Sequence, residues 1–341
     1  MQACCIYCKS ATLIGATYST RSDVTQTTAA AATTALPAPD AAARPRARTS
    51  RLQRQEAAYG YAFIAPAMIG FAVFVAGPLL GVFYFSGLDY NSLSGKETWV
   101  GLQNFADLFT SPVFADVMGN TTVFALAVVP LNIVLGLLLA VLVNARIRFI
   151  GIFRTAFFVP VVISLVAWSL VWDYLLQANG GLNAWLSQIG ITGPNWLADP
   201  TSAMPTMIAV QVLKGVGVSM ILFLAALQEV PEEIKEASRV DGANGVQSFV
   251  RITLPLISPT ILFVGILATI NALKAFAQIY LLTQGGPGLS TTVLGYYIYD
   301  QAFNAFQVGS ASAGAVVLFV IALVITLAQW MGRRKWVFNE S

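Results

Sequence analysis

Histidine is missing from this 341-residue chain, and charge is scarce: Asp, Glu, Lys and Arg together make up 10% of residues, against about 25% in a soluble domain. The first absence excludes histidine-based acid–base chemistry and imidazole metal ligation. The second, with a composition that is 57% hydrophobic, excludes an ordinary water-exposed surface. A net charge of only +3 gives nucleic-acid binding no support. The 3 cysteines, Cys4, Cys5 and Cys8, stand at the very start and none lies in an apolar run, so a disulfide-stapled fold is excluded. A metal reading of that cluster lacks a second ligand pair. No Walker loop, G-x-x-x-x-G-K-[ST], is present: at the sole Gly-Lys pair, Gly95-Lys96, Tyr90 stands where the first Gly belongs and Glu97 where Ser or Thr belongs.

What the chain has instead is long apolar runs. A bilayer crossing needs about 20 predominantly apolar residues, and the runs predict helices at about 60–86, 120–143, 154–176, 204–228, 257–283 and 309–331. The fold class expected is therefore an all-α membrane protein of six transmembrane helices. Residues 1–54 are expected to form a disordered cytoplasmic tail, rich in Ala and Thr, that ends in a basic collar. Residues 55–335 form the membrane domain, with a polar loop at 229–256, and 336–341 a short C-terminal end. Orientation follows from Lys and Arg, which accumulate on the cytoplasmic side. Arg44, Arg46, Arg48, Arg51 and Arg54 precede the first span, Arg146, Arg148 and Arg154 lie between the second and third, Lys235, Arg239 and Arg251 lie in the polar loop, and Arg333, Arg334 and Lys335 follow the sixth. Against these stands Lys96 on the other side. Both termini and the polar loop are expected to be cytoplasmic, in the inner (cytoplasmic) membrane of the cell.

The polar loop runs from Pro231 to Pro255. Pro231 suits a first helical position, and Glu232 and Glu233 place negative charge in the first turn, which predicts a helix from Glu232 to Val240. Asp241-Gly242 interrupts it, a second helical segment is expected from Ala243 to about Ile252, and Leu254-Pro255 and Pro259 lead into the next span.

Here the chain resembles the permease subunits of binding-protein-dependent ABC importers, whose cytoplasmic signature is E-A-A-x-x-x-G followed at a distance by I-x-L-P. In this sequence the signature is carried by Glu236, Ala237, Ser238, Asp241, Gly242 and Ala243, then Ile252, Leu254 and Pro255, with Ser238 where Ala is usual. An amphipathic helix lying on the membrane surface is the competing reading of the loop. Trp99–Phe105, Trp196–Pro200, Leu281–Pro287 and Tyr296–Tyr299 are similar to the outer loops of carbohydrate-type permeases, although Trp and Tyr there also suit plain interface anchors. The resemblance covers about residues 55–335. It implies a sugar or polyol solute delivered by an extracytoplasmic binding protein, a second homologous permease, and two ATPase subunits that bind ATP and Mg and grip the loop as a coupling helix. It implies no catalytic residue, metal or cofactor on this chain.

Two lysines sit inside spans, where a charge needs water or a partner. Gln211 and Lys214 share one helical face in the fourth span, and Asn271, Lys274 and Gln278 share one in the fifth. A polar lining of the translocation pathway, a polar contact between helices and outward snorkelling all fit these residues. An ion-coupled secondary transporter would need acids within the spans, and Asp173 lies only near the outer end of the third. A non-transport assembly protein is opposed by the signature loop alone.

Overall fold

The computed structural model describes residues 51–145 and 150–336. The cysteines, the tail up to Ser50, Arg146, Arg148 and residues 337–341 lie outside the described residues. The chain divides into two units, Met1–Phe63 and Ile64–Ser341. In the first, the described residues open the helix Arg51–Phe71, so the expected tail gives way to helix at Arg51.

Four stretches are long and apolar enough to cross a bilayer: Ala58–Ser86, Pro112–Asn144, Pro200–Glu229 and Val308–Arg333. Two bent pairs, Ile150–Val162 with Leu165–Gln188 and Gly245–Leu256 with Ser258–Leu273, raise this to six when each pair is one span. The second and fourth spans start earlier than hydropathy alone places them, because a cap and a proline open each. Ser111 accepts a hydrogen bond from the Phe114 N–H ahead of Pro112, and Asp199 accepts one from the Thr201 N–H around Pro200. A capping side chain followed by Pro at the first helical position satisfies one orphan N–H and omits another.

The third and fifth spans differ from expectation, because neither is a continuous helix. The third bends by 102° after Val162. Pro160 lacks the N–H of a regular helical residue, and Ser164 starts a new helix at Leu165 by accepting from the Ala167 N–H. The fifth ends its first helix, Ser258–Leu273, at Lys274 and resumes as Ala277–Leu282. No proline or glycine marks that second interruption. A further departure from an all-helical chain is a hairpin, Leu88–Asn91 paired antiparallel with Lys96–Trp99. It is held to the rest by Asn104, whose amide donates to the Ser86 and Leu88 carbonyls, both at 2.8 Å.

The second and fourth spans form the most extensive helix pairing. One end of this seam joins Phe124 and Val128 to Met207, Val210 and, from the fifth span, Ile279; the other joins Ala140 and Val143 to Met220, Phe223 and Ile257. Within lipid such helices associate through close packing and polar contacts rather than through exclusion of water. Phe223 is 0% exposed at the seam, and Phe to Ala costs about 3–5 kcal/mol in well-packed interiors. Phe223→Ala is therefore expected to lower the Tm of the purified protein well below that of Leu213→Ala, whose side chain on the same helix is 44% exposed. Equal Tm values would contradict the seam.

Candidate functional site

The two interruptions meet around one cavity of about 490 Å³. Val128 and Asn132 of the second span, Val161 and Leu165 flanking the third-span bend, Gln211, Lys214 and Ser219 of the fourth, and Ala268 to Gln278 of the fifth contribute to its wall. All five polar residues singled out from the sequence, Gln211, Lys214, Asn271, Lys274 and Gln278, line it. Asn271, Lys274 and Gln278 do so without sharing one helical face, because the helix stops between them. Among the described residues, none that lines it is acidic.

The five are not equivalent. Asn271 and Lys274 are exposed, and Lys274 is the residue on which the helix ends. Gln278 is buried, 3% exposed, and neither amide atom has a hydrogen-bond partner among the described residues. Lys214 donates its ammonium to the backbone carbonyls of Pro160 and Ile163 in the third span. Its Nζ also stands 5.7 Å from the Trp168 ring centroid, within cation–π range. Cations at a helix C-terminus contribute up to about 2 kcal/mol in partly buried settings, so the fourth-span lysine has a structural partner that sequence alone did not identify. Asn132 was missed by sequence reasoning. It is buried in the second span, donates to the Val128 carbonyl at 3.0 Å and leaves Oδ1 at the cavity wall without a partner among the described residues. An isolated amide within an apolar run was the signal that could have found it.

Toward one end of the seam lies the polar loop. Its first helix is Glu232–Val240, as expected, with Pro231 at the cap rather than at the first helical position. Glu236 and Ala237 are exposed, and Lys235 pairs with Glu232 at 3.2 Å. The helix ends in a Schellman arrangement: the Ala243 N–H donates to the Ser238 carbonyl and the Gly242 N–H to the Arg239 carbonyl, both at 3.0 Å. This requires a left-handed residue after Asp241, and Gly242 supplies it at φ 83°. The second segment begins later than expected, at Gly245, because Asn244 and Gln247 close a reciprocal capping box there, and its helical backbone runs on to Leu256. A π-helical turn, Phe249–Thr253, holding Ile252, then leads to Leu254–Leu256, which includes Pro255. Ser238, the departure from the signature, is 4% exposed, and its hydroxyl meets that of Ser248 at 2.8 Å. It ties the two segments together. Phe249 and Leu254 pack against the Phe223 end of the seam. The large apolar side chains exposed on the loop are Ile234 at 38%, Val240 at 88%, Val246 at 73% and Val250 at 52%.

The opposite loops are ordered by hydroxyls and amides. Thr291 donates to the Gly286 carbonyl at 2.8 Å, Thr292 to that of Gly285 at 2.9 Å, and Thr121 accepts from the Leu294 N–H at 2.8 Å. The Trp196 indole donates to Asn183 at 2.7 Å. The backbone N–H of Thr201, and then its hydroxyl, hold the Asp199 carboxyl below its ordinary value.

Residues 132–337 match the family described as the binding-protein-dependent transport system inner membrane component. The chain is 37% identical over 299 residues to the probable ABC transporter permease protein YesP of Bacillus subtilis (strain 168), covering 86% of this chain and 96% of that one. It is 35% identical to the lactose transport system permease protein LacF of Rhizobium radiobacter, with 84% and 97% covered. Its fold superposes on a chain of the crystal structure of a bacterial ABC transporter involved in the import of the acidic polysaccharide alginate, with a TM-score of 0.73, 29% identity, and 84% and 99% covered. With its spans, its signature loop and these matches, the chain belongs to the family of membrane-spanning subunits of binding-protein-dependent ABC importers.

Proposed function

We propose that this subunit provides part of the translocation pathway for a carbohydrate, in an inner-membrane importer with both chain termini cytoplasmic. The observation that carries the reading is the cavity at the meeting of two interrupted spans, where Gln211, Asn271 and Gln278 present amides and Lys274 an ammonium unpaired among the described residues, between apolar walls. Hydroxyl-rich solutes need donors and acceptors of this kind. An apolar solute would leave them unpartnered, at a cost of about 1–3 kcal/mol for each buried polar group. The sugar named for the lactose permease and the polysaccharide named for the alginate importer support a carbohydrate.

The partners in this reading are a second homologous permease across the pathway, an extracytoplasmic binding protein on the outer loops, and two ATPase subunits that bind ATP and Mg. The polar loop docks on one ATPase subunit through the exposed Ile234 and Val240 of its first helix and Val246 and Val250 of the segment that follows. Closure of the ATPase pair pulls the loop. The loop is joined through its π-helical turn to the fifth span, whose interruption lines the cavity.

An acidic sugar is the second reading, favoured by the alginate importer and by a cavity whose described lining includes the exposed Lys274 and no acid. Lys274→Gln separates the two, since it removes charge and keeps hydrogen-bonding capacity. With a neutral solute, uptake by the assembled complex is expected to change little in KM. An anionic solute should lose about tenfold in apparent affinity, as the removal of 1.4 kcal/mol would give.

Two further outcomes are expected. Gly242→Val places a β-branched residue at φ 83° in open space, so strain rather than collision is the effect, and left-handed backbone costs about 1–2 kcal/mol for an L-residue. Uptake and ATP hydrolysis stimulated by loaded binding protein should both fall, by about tenfold for 1.4 kcal/mol of docking energy, at normal permease levels. Wild-type uptake would refute the coupling role. A reporter active only in the cytoplasm should function when fused after Gly242 and fail after Gly286; activity at Gly286 would refute the orientation.

A further inference from the structure

The third-span bend exposes a specific hydrogen-bonding deficit. In an uninterrupted helix the Pro160 carbonyl would accept from the N–H of Ser164, and the Ile163 carbonyl from that of Ala167. Ser164 has left the helix, at φ −57° and ψ 148°, and the Ala167 N–H is taken by the Ser164 hydroxyl at 3.2 Å. The bend therefore produces two carbonyls without helical partners in a segment where no bulk water is guaranteed. Both are met by Lys214, from a residue more than 50 positions along the chain.

Lys214 reaches both limbs at once. Its ammonium holds the last turn of the first limb through Pro160 and Ile163, and faces the ring of Trp168 on the second limb. Close to it on the fourth span, Gly217 brings the two backbones together: a Cβ there would lie 2.3 Å from the Phe157 carbonyl oxygen and 3.0 Å from Val161. The first limb is thus pressed to the fourth span at Gly217 and caught at Lys214. Val161 and Leu165, on either side of the bend, are cavity-wall residues, as is Lys214 itself.

We propose that Lys214 is a positioning residue: a cross-span latch that fixes the bend of the third span, and with it one wall of the cavity, and whose ammonium serves backbone carbonyls rather than the solute. The intramembrane charge is then accounted for without an acidic partner, since a helix C-terminal end offers a partial negative charge to a cation. Lys274, by contrast, is exposed and makes no such contact among the described residues.

The test measures the bend directly. Nitroxide labels are placed at Ile152→Cys and Tyr174→Cys, which lie on the two limbs and are 67% and 68% exposed. Their distance distribution is recorded by pulsed electron resonance in the whole importer in lipid nanodiscs, in a background otherwise free of cysteine and without solute or ATP. The parent protein and Leu213→Ala are expected to give one narrow distance. Lys214→Met, similar in length and without donors, should shift and broaden it, and Lys214→Arg, which retains donors and charge, should restore it. A parent-like distribution for Lys214→Met would overturn the latch. If that variant fails to assemble, Lys214→Gln, shorter and uncharged, carries the same expectation, and a parent-like distribution there overturns it equally. Because neither solute nor ATP is present, the outcome is independent of what the importer carries.

Discussion

A backbone that leaves the helix within a membrane must find partners for the N–H and C=O groups it releases. Among the described residues, the third span breaks after Val162 and the fifth at Lys274, and side-chain contacts answer that demand at the third-span bend and in the loop beyond the fifth span. Lys214 takes the carbonyls at the third-span bend, and Ser164 takes an N–H there. Beyond the fifth span, Thr291 and Thr292 hold the carbonyls of Gly286 and Gly285, and Asn120 reaches the carbonyls of Leu289 and Thr292. Irregular backbone at such a depth is tolerated where it is buried in protein or lines a polar cavity, and here it does both. The cavity and the interruptions are one feature seen from two sides.

The seam between the second and fourth spans supplies the rigid reference for that feature. One end of it abuts the interrupted fifth span through Ile279, and the other holds the polar loop through Phe249 and Leu254. The loop is internally stiff. Its Schellman end at Gly242, its capping box at Asn244 and Gln247 and the Ser238–Ser248 contact each remove a degree of freedom. Softer geometry follows in the π-helical turn Phe249–Thr253 and the 67° bend between Gly245–Leu256 and Ser258–Leu273. A stiff handle joined by a bend to an interrupted helix is a mechanically sensible way to pass a displacement to a cavity wall.

Much of this was legible in the sequence where the signal was local. The Glu232–Val240 helix, its acidic first turn and the left-handed Gly242 follow from residue types and neighbours, and the apolar runs locate the spans. The polar cavity residues were recognisable because amides and lysines are costly among apolar neighbours. The interruption at Lys274–Phe276 was not legible, since neither proline nor glycine announces it; the helix Leu294–Tyr299 passes so close there that a Cβ on Gly295 would lie 2.6 Å from the Ala275 carbonyl oxygen. The Ser238–Ser248 contact is likewise tertiary, and the hairpin at Leu88–Trp99, though local, has strands of four residues each, too short to show a period of two. Lys214 combines both cases: its cost was visible in the chain, its partners only in three dimensions.

On the proposed function, the polar pocket between the interrupted spans is a water-accessible pathway and not a closed structural network. Its most direct measurement is substituted-cysteine labelling in the assembled importer, after replacement of Cys4, Cys5 and Cys8. Ala268→Cys and Val218→Cys at the cavity wall, and Val134→Cys at a position 61% exposed and away from the cavity, are treated with a charged, membrane-impermeant thiosulfonate from either side. On that reading the two cavity cysteines react at rates that change between resting and ATP-hydrolysing complexes, while the cysteine at position 134 stays unreactive. Inert cavity cysteines in both states, or a reactivity no different from that at position 134, would contradict it.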